Sequence, residues 1–352
     1  MGRVMEARAA LPKILNEDKN LAMVFGSSMV GAAFSPRQFD SAAKDAGKNI
    51  KSFNFGFGGL NPFFQDQLSR GIAEEFKNND RRLKLAVIEF NPFQATQARW
   101  NGAKGVVDSF TTILASEQHL WDITLDDPIR GIRLFNIKHL RGNISSEMIT
   151  SRFGRVFFSG KQLQRLSESN ELVKLRRELS QESYTLFHED FPNYQPTRWS
   201  YHWQGGGTIP QERSERSIEV ILAINKTKQN DAYMGNKRQN RIRRADIEGL
   251  NFEPLLVESF IRIVENFKQF SDKVEVVMLP RNTRWIHYSP EARARLDTAI
   301  NQIEQATGVT IKDHQDLTEI NPDMFRDSTH LARYSGDVAY TDYLVKLYAK
   351  NL

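Results

Sequence analysis

Apolar and polar positions divide the chain into three stretches. In the first, "LAMVFGSS" (21–28) and "LKLAVIEFNP" (83–92) are short, mostly apolar runs closed by small or turn-forming residues, and "NIKSFNFGF" (49–57) alternates as a strand and runs into "GGLNP". Runs of this length fit strands of a parallel sheet buried on both faces. Segments with helix signals stand between them. "SPRQFDSAAKDAG" (35–47) opens on Ser-Pro and stops at Gly, and "PFFQDQLSRGIAEEFKN" (62–78) opens on Pro. Residues 5–19 also read as a short helix. Strand, helix, strand, helix, strand at this spacing predicts βαβαβ connectivity and a parallel sheet.

The second stretch, 95–272, has a different pattern. Amphipathic helical spacing recurs over 104–120, 160–180 and 251–270, broken by the polar, aromatic "FPNYQPTRWSYHWQGGGTIPQERS" (191–214). A helical insertion or cap is expected there. In the third stretch the sheet resumes with "KVEVVMLPRN" (273–282) and the short strand "VTIKDH" (309–314), around the capped helix "SPEARARLDTAINQIEQATG" (289–308). Residues 326–352 read as a loop leading into a terminal helix. The expectation is one α/β domain over 1–352, built from 21–94 and 273–352 and interrupted by the insertion at 95–272.

Composition narrows the functions open to such a domain. With 352 residues, 40% hydrophobic and 26% charged, the chain can bury a sizeable core. No apolar run reaches the roughly 18 residues that cross a bilayer. "MGRVMEARAALPKILNEDKN" has no apolar core of the signal-peptide kind. The absence of cysteine excludes disulfides, thiolate catalysis and Cys-based zinc sites. The seven histidines include no HxxxH or HExxH pair, so no helical two-His metal site is expected. The net charge of +5 tolerates an anionic partner and points no further. Within "KTKQNDAYMGNKRQNRIRR" (226–244), seven Lys/Arg face one Asp, which reads first as a solvated helix face and next as a contact for an anionic polymer or a membrane surface. Tyr233 is its one interleaved aromatic, so nucleic acid is not expected as a partner.

Candidate chemistry gathers where strands of an open parallel sheet end, at their carboxyl edge. Four segments meet that edge: "GSS" after the first strand, "GFGG" after the second, "EFNP" after the third, and the loop holding "DSTH". Acyl transfer needs a nucleophile, a base, a carboxylate to orient the base, and fixed donors for the oxyanion. Ser28 offers a hydroxyl at a strand-to-helix turn, Gly59 an unobstructed backbone N–H, and Asn91 a side-chain amide. Asp327 and His330, three residues apart, can form the carboxylate–imidazole pair. Singly, each block has a plain reading: an ordinary turn at Ser27–Ser28, tight turns at Gly56, Gly58 and Gly59, a strand terminator at Asn91-Pro92, a helix cap at Asp327. Their weight comes from their order and their common position at strand ends. Ser27 is the competing serine and Asp323 the competing carboxylate.

These four blocks, in this order, resemble those of the SGNH (GDSL-type) hydrolase superfamily over residues 21–92 and 273–352. "FGSS" is similar to the nucleophile block, with Ser28 at the serine position and Ser27 where many members carry Asp. "NFGFGG" is similar to the Asn-x-Gly-x-x-Gly block, "EFNP" stands at the Gly-x-Asn-Asp block without its Gly and final Asp, and "DSTHL" is similar to the Asp-x-x-His block. The resemblance implies a flavodoxin-like three-layer α/β/α sandwich, a Ser28–His330–Asp327 triad, an oxyanion hole from Ser28, Gly59 and Asn91, and no cofactor. The departures in the first and third blocks also occur in the branch with alginate acetylation proteins and the teichoic acid D-alanylation protein. That branch implies an esterase or O-acyltransferase acting on an acylated small molecule, carbohydrate, surface polymer or lipid, in a periplasmic or cell-envelope setting. The altered third block also leaves open a non-catalytic carbohydrate-binding or assembly protein that keeps the fold. Arg281 in "PRNTRW" and the aromatics Trp199 and Trp203 in "RWSYHWQGGG" are further candidates for substrate contact. For the aromatics, the plainer role is to pin the insertion to the core.

Overall fold

The three N-terminal apolar runs form strands β1 (Asn20–Ser27), β2 (Ile50–Phe57) and β3 (Leu83–Glu89), and the C-terminal part adds β4 (Val274–Met278) and β5 (Ile311–Asp313). The computed structural model describes residues 2–140, 174–175, 177–178, 215–229, 234–235 and 237–349. Every strand pair is parallel and the order is β2-β1-β3-β4-β5. That is the 2-1-3-4-5 order of doubly wound sheets, in which the winding reverses between β1 and β3. Central β1 and β3 are buried on both faces, which explains their near-continuous apolar sequences.

The described helices are α1 (Gly2–Leu15), α2 (Ser28–Ala33), α3 (Pro36–Asp45), α4 (Pro62–Asn78), α5 (Gln97–Ala103), α6 (Val107–Leu114), α7 (Glu117–Asp126), α8 (Pro128–Leu140), α9 (Glu215–Lys228), α10 (Lys237–Ile242), α11 (Pro254–Phe270), α12 (Pro290–Thr307) and α13 (Gly336–Tyr348). A π-helical turn, Arg243–Glu248, continues α10. Two helix groups flank the sheet: α4 packs on α11, with α1 beside α4 and α12 beside α11, while α13 packs on α2 and α3. The architecture is α/β and consistent with a three-layer α/β/α sandwich.

Helix α11 falls inside the stretch read from sequence as insertion, yet it belongs to the sandwich. Its Leu256, Phe260, Ile263, Val264 and Phe267 repeat at helical spacing and are buried in the main core. The Phe267 ring lies 4.9 Å from Phe25 of β1, and Phe270 stacks on Phe76 of α4 at 4.7 Å. A parallel sheet needs a crossover between β3 and β4, and α11 supplies it. The single helix expected over 104–120 is divided at Ala115–Ser116, because the Ser116 hydroxyl accepts the His119 N–H (3.1 Å) and caps α7 instead. Most of 160–180 and all of 191–214, with Trp199 and Trp203, lie outside the described residues.

Two glycines set how closely α2 approaches the strand ends. Gly26 and Gly56 are opposite one another in the β1–β2 register. A Cβ on Gly56 would lie 2.2 Å from the Gly31 nitrogen of α2, and one on Gly26 would lie 2.4 Å from Glu89 Oε2. With neither side chain present, α2 starts at the residue after β1. The chain turns from strand to helix between Ser27 and Ser28, which leaves Ser28 at the sheet edge.

Candidate active site

All five strands run the same way, so their carboxyl ends share one edge. The β1–α2 turn there carries Ser27 and Ser28, side by side but in different surroundings. Ser27 is the N-cap of α2: its hydroxyl oxygen accepts the Met29 N–H (3.1 Å) and an Asn91 amide hydrogen (3.0 Å), and its proton goes to Glu89 Oε1 (3.0 Å). A hydroxyl has two lone pairs and one proton, so Ser27 is fully engaged, and it is only 1% exposed. Ser28 is half-buried, with its Oγ 2.8 Å from His330 Nε2.

His330 sits in a loop closed on itself. The Arg326 N–H donates to the His330 carbonyl (2.9 Å), Phe325 bridges Leu331, and the Ala332 N–H donates to the Met324 carbonyl (2.7 Å). Within it, Asp327 Oδ1 accepts the backbone N–H groups of Thr329 (3.0 Å) and His330 (2.8 Å), and the carboxylate meets His330 Nδ1 at 2.9 and 3.1 Å. The hydrogen-bond network assigns the ring proton to Nδ1, facing Asp327, which leaves the Nε2 lone pair toward the Ser28 hydroxyl. Burial pushes the Asp327 carboxyl up, but the electrostatic attraction and hydrogen bond of His330, with Arg326 and the Thr329 N–H, outweigh it and hold Asp327 well below the usual carboxylate range. Asp323 is not part of this arrangement: its carboxylate pairs with Arg284 at 3.0 Å.

Two segments from outside the sheet brace the loop. Ser328 donates to Gln239 Oε1 of α10 at 2.5 Å, and the Gln229 amide donates to the carbonyls of Asp323 (2.6 Å) and Phe325. After β4, the Asn282 amide reaches the Asp327 carbonyl at 3.4 Å.

The remaining predicted residues divide. Beyond β2 the chain passes Gly58, where a Cβ would be 3.5 Å from Ser28 Cβ, and then Gly59 at φ +80°, a conformation that favours glycine. Asn91 ends β3's exit segment and caps the turn Pro92–Gln94 by accepting the Phe93 N–H (3.0 Å). For this reason the strand read over 83–92 stops at Glu89. The Asn91 amide hydrogens point to Ser27 Oγ and to Met29 Sδ (3.3 Å), so at rest neither is free for an oxyanion. Arg281 is also committed elsewhere: it forms a two-pronged pair with Asp316 (2.8 and 2.8 Å), donates to the Ile286 carbonyl (3.0 Å) and lies over the Tyr288 ring. That network holds the segment after β4.

Sequence reasoning missed Glu89. It is 2% exposed at the end of β3, and its Oε2 accepts the Ser27 N–H at 2.5 Å. Burial pushes its carboxyl up to about 7 against the Ser27 and Asn91 hydrogen bonds. A signal was available: it is a lone carboxylate within the apolar run "LAVIEF", where an unpaired charge would be costly. No protein-family model matches the chain, and no curated protein matches it.

Proposed function

We propose that the chain is a serine-dependent acyl ester hydrolase or O-acyltransferase of the SGNH type, with Ser28 as nucleophile, His330 as general base and Asp327 as its orienting carboxylate. One observation carries the reading: Ser28 Oγ, His330 and Asp327 lie in a continuous hydrogen-bonded line, 2.8 Å and 2.9 Å per step, although 302 residues separate the serine from the histidine. The four sequence blocks support the same assignment.

As Ser28 Oγ bonds to the ester carbonyl carbon, its proton passes to His330 Nε2, and the carbonyl π pair moves onto oxygen. Asp327, kept ionised, stabilises the imidazolium without taking its proton. Collapse of the tetrahedral intermediate breaks the bond to the alcohol, which leaves with the proton from His330. Water then releases the acid from Ser28, or a second alcohol such as a sugar hydroxyl receives the acyl group. The cycle balances with no cofactor. Backbone N–H groups of Ser28 and Gly59 are the proposed oxyanion donors. The Asn91 hydrogen now facing Met29 Sδ can join them, because a thioether is a weak acceptor and is readily exchanged for an anion. The block resemblance directs the substrate class to acylated carbohydrate, surface polymer or lipid.

The engagement of both Asn91 hydrogens is the observation that favours the second reading, a binding protein without turnover. Hydrolysis of 4-nitrophenyl acetate separates the two. The first predicts turnover that drops at least about a thousandfold in Ser28→Ala and in His330→Ala; equal rates in folded wild type and variants would refute it. Adding an alcohol acceptor then distinguishes transfer from hydrolysis, because a transferase forms the new ester in preference to acetate.

A further inference from the structure

A buried carboxylate lies directly behind the nucleophile turn and has no place in the triad. Glu89 is paired with Val277 of β4, and Gly26 of β1 lies beside it, one residue beyond the last β1–β3 pair, Phe25–Ile88. The missing side chain at Gly26 is what admits the carboxylate, since a Cβ there would lie 2.4 Å from Oε2. Both oxygens are used on Ser27: Oε2 takes its N–H at 2.5 Å and Oε1 its hydroxyl proton at 3.0 Å. Ser27 Oγ in turn takes the Met29 N–H, which starts α2, and the Asn91 amide. One carboxylate thereby fixes, through one hydroxyl, both the strand-to-helix turn that presents Ser28 and a proposed oxyanion donor.

We propose that Glu89 is a positioning residue for acyl transfer, acting through Ser27 to hold the Ser28 turn and the Asn91 amide in register. This rests on the reading of Ser28 as nucleophile. The arrangement calls for the carboxylate form. A carboxylic O–H directed at Ser27 Oγ would compete with Met29 and Asn91 for its two lone pairs, and one of them would have to let go. Strand β1 presents Ser27 to Glu89, and Val277 of β4 and Val30 of α2 are apolar. The Tyr340 hydroxyl of α13, which Glu89 influences only electrostatically, meets His314 Nδ1 (2.9 Å), whose ring burial pushes down to about 4. Burial raises Tyr340 well above its ordinary range, so it stays neutral. With no cation among these neighbours, the Glu89 charge is held by hydrogen bonds, and it titrates near neutrality. Protonation of Glu89 then loosens the Ser27 hub and slows the reaction on its acid side.

The test measures the rate of fluorophosphonate uptake against pH for wild type, Glu89→Gln and Ser27→Ala, each below its melting temperature. The wild-type rate should fall on the acid side as Glu89 takes up its proton near 7. Glu89→Gln should label about tenfold to a hundredfold more slowly, the scale set by small misplacements of reacting groups, and lose the part of the pH dependence that Glu89 supplies. Ser27→Ala leaves the Glu89 bond to the backbone but removes the hydroxyl hub, so it should also slow about tenfold, with the adduct still on Ser28. Should Glu89→Gln fail to fold, Ser27→Ala decides alone. A Glu89 that merely supports the fold would lower the melting temperature and leave rate and profile as in wild type. That result, or a Ser27→Ala rate equal to wild type, overturns the proposal and leaves the triad standing. A wild type that takes up no probe refutes the acyl-transfer reading and this proposal with it.

Discussion

Two carboxylates at the sheet edge are driven in opposite directions by their surroundings. Folded Glu89 keeps its proton up to about 7, whereas an unfolded glutamate releases it near 4.5. Between those values the folded state binds more protons, so stability falls as pH rises from about 4.5 to about 7, by up to about 3 kcal/mol. Asp327 is held low by His330 despite its burial, so its contribution is present above the unfolded value of 3.8 and is lost as pH falls below it. Glu89→Gln removes only the first effect. Urea unfolding at pH 5 and pH 8 should show the variant gaining about 2–3 kcal/mol on wild type at the higher pH; a difference that stays constant with pH would show that Glu89 does not titrate there. At this scale the sequence displayed Ser28, Asp327 and His330 as residue types in suitable places. It could not display that Ser27's hydroxyl is saturated, because its partners come from positions 29, 89 and 91 and depend on the fold.

The elements near the site are placed by backbone proximity more than by side-chain packing. Helix α2 has only six residues, and Gly31 meets Gly56 at a distance no Cβ tolerates. Gly56→Ala should therefore destabilise by about 1–3 kcal/mol, read as a lowered urea midpoint. As a contrast, Gly102→Ala in α5, where a Cβ meets nothing within 4 Å, should be neutral or stabilising by up to about 1 kcal/mol. Equal destabilisation at both sites would contradict the close approach. Element by element, apolar runs and caps made the strands and most helices legible: Ser289 and Gly308 bound α12 as their types suggest, the latter in the left-handed conformation. The errors have physical sources. Periodicity cannot tell a cap helix from a crossover helix, since both bury one stripe, so the pattern over 251–270 fits either. A serine inside a helical pattern can start a new helix, as Ser116 does.

For the whole molecule, the consequence of the 2-1-3-4-5 order is that β1 lies centrally while the loop after β5 returns over the same edge. The Ser28–His330 contact is a product of topology, bringing together residues near opposite ends of the chain. Helix α10 bonds Gln239 to Ser328 beside the proposed triad, so part of the 95–272 stretch supports the proposed site. Sequence order suggested the convergence, because each block follows a strand of one parallel sheet, but the bracing by Gln229 and Gln239 carried no sequence signal. Peptide mapping of the fluorophosphonate adduct tests the central claim most directly. The account predicts a single adduct on the peptide carrying Ser28, absent in Ser28→Ala and strongly slowed in His330→Ala. Modification at Ser27, or an adduct that survives in folded Ser28→Ala, would contradict it.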